Sequence, residues 1–599
     1  KNIENMKNKY FYITLIGLLL NFYSCNDDYL EKIPKDQITN DGFWKTNKDF
    51  ESYAFGLYDF YGYGVGNQGN NIASNSDETC ASLQSKNSRI FDLRVIPSSG
   101  GGWSWGYLRS CNIMIREAQN STLEDLDKKH WEGVGRLLRA REYFRKVKSF
   151  GDVPWVDHEL GTESPELYAP QDSRETVMEN VLTDLNFAVQ NIKENTMANT
   201  INKDVALAIK SEVCLFEGTF RKYHSELNLN DAGRWFNECV SASETLMNGG
   251  KYSLSPDFRD IYSSVNLAGN PEVILYKQYE TGVIVNIRTR LLGSIASSTP
   301  VVSGTKDAIE SYLCSDGLPY GISPLHPKAQ NGTPEFIHEE FENRDPRLSK
   351  TFVVPYDNSS PKQDPALVET DRGVVPPFIP SFYGEGSIVS PTGYHIYKWW
   401  TPDSPYDNVN GTLDAPLYTY NKILLNFAEA KAELGEADNA TLDKSINLLR
   451  ERAGMPKLTV ELANSFNDPK KAEYAPEISN ILWEVRRERR VELMLEGTRL
   501  DDILRWKKAS YLGKSFVGAY IDLDNRPASA YNEDGTNKAS VVLGDRNGNP
   551  LPEGTRVGYV LPYYERQPDW NDDDIKLYYS PINTEALTIN PNLQQSPGW

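Results

Sequence analysis

Apolar residues recur at three- and four-residue steps through much of the chain, the period of a helix with one face turned inward. The clearest run places Trp131, Val134, Leu137, Leu138, Phe144 and Val147 on one side and Arg136, Arg139, Arg145, Lys146 and Lys148 on the others. Phe150-Gly151 with Pro154 beyond it supplies the stop signal. The same period predicts helices over 103–119, 173–193, 203–222, 231–248, 417–434, 440–453 and 476–508. An earlier one over 49–60 would be capped by Asp41 or Thr46. In the stretch 421–435, Ala428, Ala430 and Ala432 are small enough for a second helix to approach closely.

Between these blocks the period fades. Residues 251–415 and 511–599 are dense in Pro, Gly, Asn, Asp and Tyr, with short apolar runs such as 272–276 and 352–354, and a strand is conceivable at 89–96. The expected fold is mainly α: a tetratricopeptide-like scaffold of helix pairs carrying a long loop-rich, short-strand lobe. Its parts would be 47–250, an N-terminal helical part; 251–415, a loop-rich lobe; 416–510, a C-terminal helical scaffold; and 511–599, a loop-rich end. Recognition is expected on the long loops.

Ahead of these parts the pattern changes again. Lys7 and Lys9 precede a mostly apolar run from Tyr10 to Phe22 that ends at Tyr23, Ser24 and Cys25. A dozen apolar residues are too few to span a bilayer and fit the central region of an export signal, assigned to 1–24. Cys25 directly after a small residue resembles a bacterial lipobox, with Phe22 and Tyr23 where Leu and a small residue are usual. Cys25 is then the lipid-attachment residue, a palmitate-type anchor, and 25–46 its tether.

Charge narrows the partners. The chain has 63 basic and 83 acidic side chains, a net charge of −20, and losing Lys1, Lys7, Lys9 and Glu4 with the leader makes it two units more negative. Phosphate backbones and anionic lipid surfaces would repel it, so no nucleic-acid partner is expected. Six cysteines in 599 residues are too few for a disulfide scaffold, and Cys214 and Cys239, in helical patterns, read as buried apolar residues.

Catalytic patterns fail on context. Gly102-Trp103-Ser104-Trp105-Gly106 has the form of a nucleophile elbow, but three consecutive glycines, Gly100 to Gly102, precede the serine in place of a strand. Gly64, Gly66 and Gly69 match a dinucleotide fingerprint with no helix after them, and Gly513-Lys514-Ser515 lacks the first glycine of a phosphate loop. No catalytic residues, cofactor or metal ligands are assigned. Asp569, Asn571 and Asp573 start like a calcium loop but lack its Gly and terminal Glu, so a structural calcium ion stays open. The run 484–492, EVRRERRVE, reads as an ion-pair network in which Glu484 meets Arg487 and Arg489 meets Glu492.

The aromatic balance is the remaining signal: 34 Tyr and 12 Trp against 22 Phe. Tyr and Trp offer a flat apolar face with a polar edge, which suits the C–H faces of sugar rings. Trp103, Trp105 and Tyr107 follow the glycine loop, and Asn75, Asp77, Arg89 and Arg94 precede it.

Six segments together carry a resemblance: SCNDDYLEKIPKDQITNDGFW (24–44), LLRAREYFRKVKSFGDVPWV (137–156), NFAEAKAELG (426–435), INLLRERAG (446–454), RRERRVELMLEGTRLDDILRW (486–506) and NPNLQQSPGW (590–599). The chain resembles the SusD/RagB family of surface glycan-binding lipoproteins of Bacteroidetes along its whole length. The resemblance implies a lipid at Cys25, Asp27 and Asp28 as a signal for the cell surface, and a location on the outer membrane. It implies an oligosaccharide or polysaccharide ligand and a SusC-like TonB-dependent outer-membrane transporter as partner. By position it nominates Trp103 as a stacking platform and Asn75, Asp77 and Arg89 as hydroxyl partners, with Tyr383, Trp399 and Trp400 as lesser candidates. Alternatives are a transporter-associated receptor for peptides or glycoproteins, a surface hydrolase, and a plain tetratricopeptide scaffold.

Overall fold

The computed structural model describes residues 43–58, 76–80, 88–286, 302–326, 334–354, 369–370, 373–374, 392–399, 401, 411–524, 541–565 and 568–599. The leader, Cys25, Asn75, Tyr383 and Trp400 lie outside the described residues.

The periodic stretches are helices. They are α1 (Asn47–Gly56), α2 (Gly106–Asn120), α3 (Asp125–Phe150), α4 (Arg174–Asn191), α5 (Lys203–Tyr223), α6 (Ala232–Asn248), α7 (Tyr420–Glu433), α8 (Ile446–Ala453), α9 (Asn480–Glu492) and α10 (Arg499–Arg505). Local chemistry sets their ends. Thr46 caps α1, with the Asp49 carboxylate accepting from its N–H at 2.7 Å. Ser173, Asn202 and Ser479 cap α4, α5 and α9 by accepting from the N–H three residues on. Gly151, at φ 80°, turns the chain out of α3.

Consecutive helices pack in pairs, α2 on α3, α3 on α4 and α5 on α6, which is the helix-pair scaffold expected. Helix α5 lies in the middle, touching α4, α6, α7 and α10. From Val205 to Arg221 every residue of α5 except Glu212 is buried. Gly218 lets α6 come close: a Cβ there would sit 2.8 Å from two ring carbons of Phe236.

Two expected helices are interrupted. The stretch 476–508 divides into α9 and α10 because Met494 and Leu495 turn into a separate apolar cluster, with Leu495 at φ 67° and Gly497 at φ 78°. The stretch 440–453 divides at Ser445, whose hydroxyl donates to the Thr441 carbonyl (2.7 Å), leaving a short helix Asn439–Asp443 ahead of α8. The strand considered at 89–96 is instead a turn, with Asp92 at φ 50°.

Apart from the two-residue pair Glu369–Thr370 and Gly373–Val374, the strands among the described residues are β1 (Thr79–Cys80), β2 (Val273–Lys277), β3 (Ser303–Gly304), β4 (Ala415–Thr419), β5 (Tyr520–Asp522), β6 (Leu543–Gly544) and β7 (Val557–Val560), all short. All pair antiparallel: β1 with β3, β2 with β4, and β7 between β5 and β6. Three large apolar clusters stand out among the described residues. One joins α1–α6 to residues 563–582, one gathers the strand-bearing lobe around Tyr262, Tyr312, Phe352, Tyr394 and Trp399, and one lies among α7, α8 and α9.

Buried charge ties these clusters together. Glu429 of α7 accepts both terminal nitrogens of Arg505 (2.6 Å each) and the Trp506 indole N–H (2.7 Å). Arg347 reaches from the lobe to Glu488 (2.6 Å) and Glu492 (2.9 Å) of α9. The charged run 484–492 is thus an ion-pair network, and a buried one. Glu484 does meet Arg487 (3.2 Å), but Arg489 pairs with Asp502 (3.0 Å), while Glu492 takes Arg347 and Arg452. A buried charge needs a partner wherever one can be reached, and here the partners come from other elements.

Candidate functional site

The glycine loop ahead of α2 is a built feature. Gly100, Gly101 and Gly102 have φ of 71°, 64° and 88°, the left-handed region that residues with a Cβ avoid. Such a run would be loose alone, yet both sides of it are held. On one side, Thr584 N–H donates to the Pro97 carbonyl (3.0 Å), Glu585 N–H to Ser98 (3.0 Å) and the Asn583 side-chain amide to Gly100 (2.9 Å). On the other, the Lys146 ammonium of α3 donates to the Gly102 carbonyl (2.6 Å) and the Ser104 carbonyl (2.5 Å). Lys146 is fully buried, and that burial pulls its pKa down to about 8 despite the nearby Glu142.

This clamp presents two indoles. Trp103 stands edge-on to Phe150 (centroids 5.0 Å apart, 88°) and to Trp105 (5.2 Å, 85°), and remains partly exposed. Trp105, packed toward Tyr143, forms one wall of a cleft of about 350 Å³. Arg109 of α2 and Pro154, His158, Leu160 and Glu166 of the loop after α3 complete it. That volume lies in the range of small-molecule sites.

The nominated residues fall in different places. Asp77 is buried at the start of β1, where its carboxylate takes Arg499 (2.8 and 2.9 Å) and Arg490 (3.1 Å). Those guanidiniums hold its pKa below the usual value against desolvation. Arg89 directs two nitrogens at the Leu577 carbonyl (2.9 and 2.6 Å), and burial lowers its pKa to about 9. Both serve as joints between distant segments and share no contact with Trp103. Trp399 is buried in the second cluster, its indole N–H donating to Leu495 (3.3 Å), in line with the structural role its surroundings suggest. His158 and Glu166 carry no sequence signal, because only the fold of the loop after α3 brings them to the cleft that Trp105 and Arg109 line.

Ser104 is exposed, and among the described residues its hydroxyl has no hydrogen-bond partner that could serve as a base. Among the same residues no helix is long and apolar enough to cross a membrane. Cys80, Cys111, Cys214, Cys239 and Cys314 are buried free thiols.

Comparison with known proteins gives one consistent answer. A family model described as "SusD family" matches residues 230–599, and one described as "Starch-binding associating with outer membrane" matches 84–211. A SusD-like protein of Bacteroides ovatus is 22% identical, the match covering 99% of this chain and 98% of that one. SusD-like protein P2 of Formosa agariphila is 23% identical, over 83% of this chain and 91% of its own. Among solved structures, a SusD-like protein of Bacteroides fragilis superposes with a TM-score of 0.68 at 20% identity, covering 95% of this chain and all of that one. A SusD-like carbohydrate binding protein of the same organism gives 0.67 at 20% identity, covering 92% of this chain and all of its own.

Proposed function

The chain belongs to the SusD family, and from that premise we propose that it is a non-catalytic receptor that captures an oligosaccharide or polysaccharide at the outer membrane. The observation that carries this reading is the pair of indoles on the clamped glycine loop beside the 350 Å³ cleft. A sugar ring laid on Trp103 buries its C–H face, and a glycan running on past Trp105 into the cleft meets Arg109, His158 and Glu166, which provide groups for its hydroxyls. Because Lys146 and Asn583 already fix the loop, little ordering remains to oppose binding. The names of the relatives support it, since one is called a carbohydrate binding protein and one matching family is described as starch-binding. In this reading a lipid on Cys25 anchors the protein at the cell surface, and the captured glycan passes to a SusC-like TonB-dependent transporter.

The test is titration calorimetry or affinity electrophoresis against a panel of polysaccharides and their oligosaccharides. One or more should bind, and Trp103→Ala should weaken that binding about tenfold or more, the loss of a stacking anchor, with Trp103→Phe retaining part of it. A folded protein that binds no glycan of the panel would sink the proposal.

A further inference from the structure

Outside this site, a small cavity of about 40 Å³ lies among α9, the short helix Pro469–Tyr474 and the turn after α10. Six cations line it, Lys470, Arg486, Arg487, Arg490, Arg499 and Lys514, with a single carboxylate, Asp307. Five of the six cations have carboxylate partners. Lys470 reaches Asp307 (2.7 Å), Arg486 reaches Glu433 (2.7 Å), and Arg487 reaches Glu484 (3.2 Å) as well as Asp468. Arg490 holds Asp307 (2.9 Å) and Asp77 (3.1 Å), and Arg499 holds Asp77 (2.8 Å).

Lys514 is the exception. Among the described residues its ammonium makes neither ion pair nor hydrogen bond, and it lies over two aromatic faces, 2.8 Å from the ring centre of Tyr474 and 4.4 Å from that of Tyr511. Ring quadrupoles compensate a desolvated cation only in part. Beside it, the Nε atoms of Arg486 and Arg490 are buried with no acceptor. The region therefore holds donors, the Lys514 ammonium and these two Nε atoms, that no acceptor among the described residues meets.

We propose that this cavity is a binding site for a small monovalent inorganic anion of the chloride type, held by Lys514 as its counter-charge. The volume suits it, since a water molecule needs about 10–15 Å³ on the same measure, and a sugar ring would not fit. One unpaired ammonium calls for one negative charge. The ion-free environment is accordingly hard on that ammonium. Desolvation takes its pKa down to about 7, with Lys470 and Arg490 adding to the effect and Asp307 and Asp77 opposing it. Of the other groups facing it, Arg486, Arg487 and Arg499 are each matched to carboxylates of their own, and Tyr474 and Tyr511 offer only ring faces. Asp307 already joins Lys470 to Arg490 of α9, and a bound anion would add the turn at 511–514 to that junction.

Thermal unfolding of the whole protein at pH 6, with chloride replacing gluconate at constant ionic strength, tests the site. The midpoint should rise saturably by about 1–2 °C for a chain of this size, and Lys514→Met should abolish the rise. Crystals soaked in bromide should show an anomalous peak in the cavity beside the Lys514 Nζ. Equal chloride dependence in wild type and Lys514→Met would overturn the proposal. If the variant does not fold, a wild-type cavity without bromide overturns it instead.

Discussion

Glu78, next to the paired Asp77, shows how far a single environment can set a residue's chemistry. Its carboxyl is buried, and desolvation pushes its pKa up to about 7 although Arg490 and Arg499 pull the other way. Between about pH 4.5 and 7 the unfolded chain has released this proton while the folded chain keeps it, so rising pH costs stability across that window. Glu78→Gln should therefore be more stable than wild type at pH 8, relative to the same comparison at pH 4. The new amide oxygen can still accept from Leu495 N–H, as the carboxylate does (3.3 Å). Urea unfolding at the two pH values checks this, and equal differences at both would show that folding does not raise the Glu78 pKa. Glu310, Glu429 and Glu492 behave in the opposite sense. Their partners hold them down at about 2, so their contribution is full above about pH 4.5 and is lost as pH falls toward 2.

At the scale of elements, the contact between α5 and α6 depends on Gly218. Gly218→Ala sets about 1 kcal/mol of helix propensity against overlap with Phe236, whereas Gly218→Val adds further bulk with no such gain and should cost about 2–3 kcal/mol. The shift in urea midpoint measures it, and a Val variant as stable as wild type would mean that α6 can move away. Elements of this kind were the most legible part of the sequence, because a helix declares its buried face through its own period. What was not legible depended on partners far along the chain. Gly497 and Thr498 are stop and start signals that the apolar period runs over, and the gap between α9 and α10 exists because Met494 and Leu495 belong to another cluster. Lys146 reads as one of the polar residues of α3, yet it is the staple of the glycine loop. Asp77 reads as an available carboxylate until Arg490 and Arg499, more than 400 positions away, are placed on it. Trp103 stands out in the sequence because three glycines and two tryptophans are unusual locally, whereas the cleft that Trp105 lines is a tertiary product.

For the molecule as a whole, the net charge of −20 repels anionic lipid surfaces. If the lipid on Cys25 is its hold, Cys25→Ala should appear in the soluble fraction of cells lacking the partner transporter, folded and still able to bind glycan. A variant that remains with the membranes of such cells would refute the anchor.

The clamp on the glycine loop has a consequence in time. Pro97, Ser98 and Gly100 are held by Asn583, Thr584 and Glu585, and Arg89 and Arg94 close on carbonyls between Lys576 and Tyr579. The Asn583 bond spans 483 positions. At about 5–20 residues per second, a ribosome needs roughly 25–100 s to travel from one end of that bond to the other. Throughout that interval the two tryptophans have only the Lys146 side of their frame. A product cut short between 150 and 583 would carry the whole glycine loop with half of its clamp, so the geometry of residues 97–105 is completed only once residues 583–585 have been made.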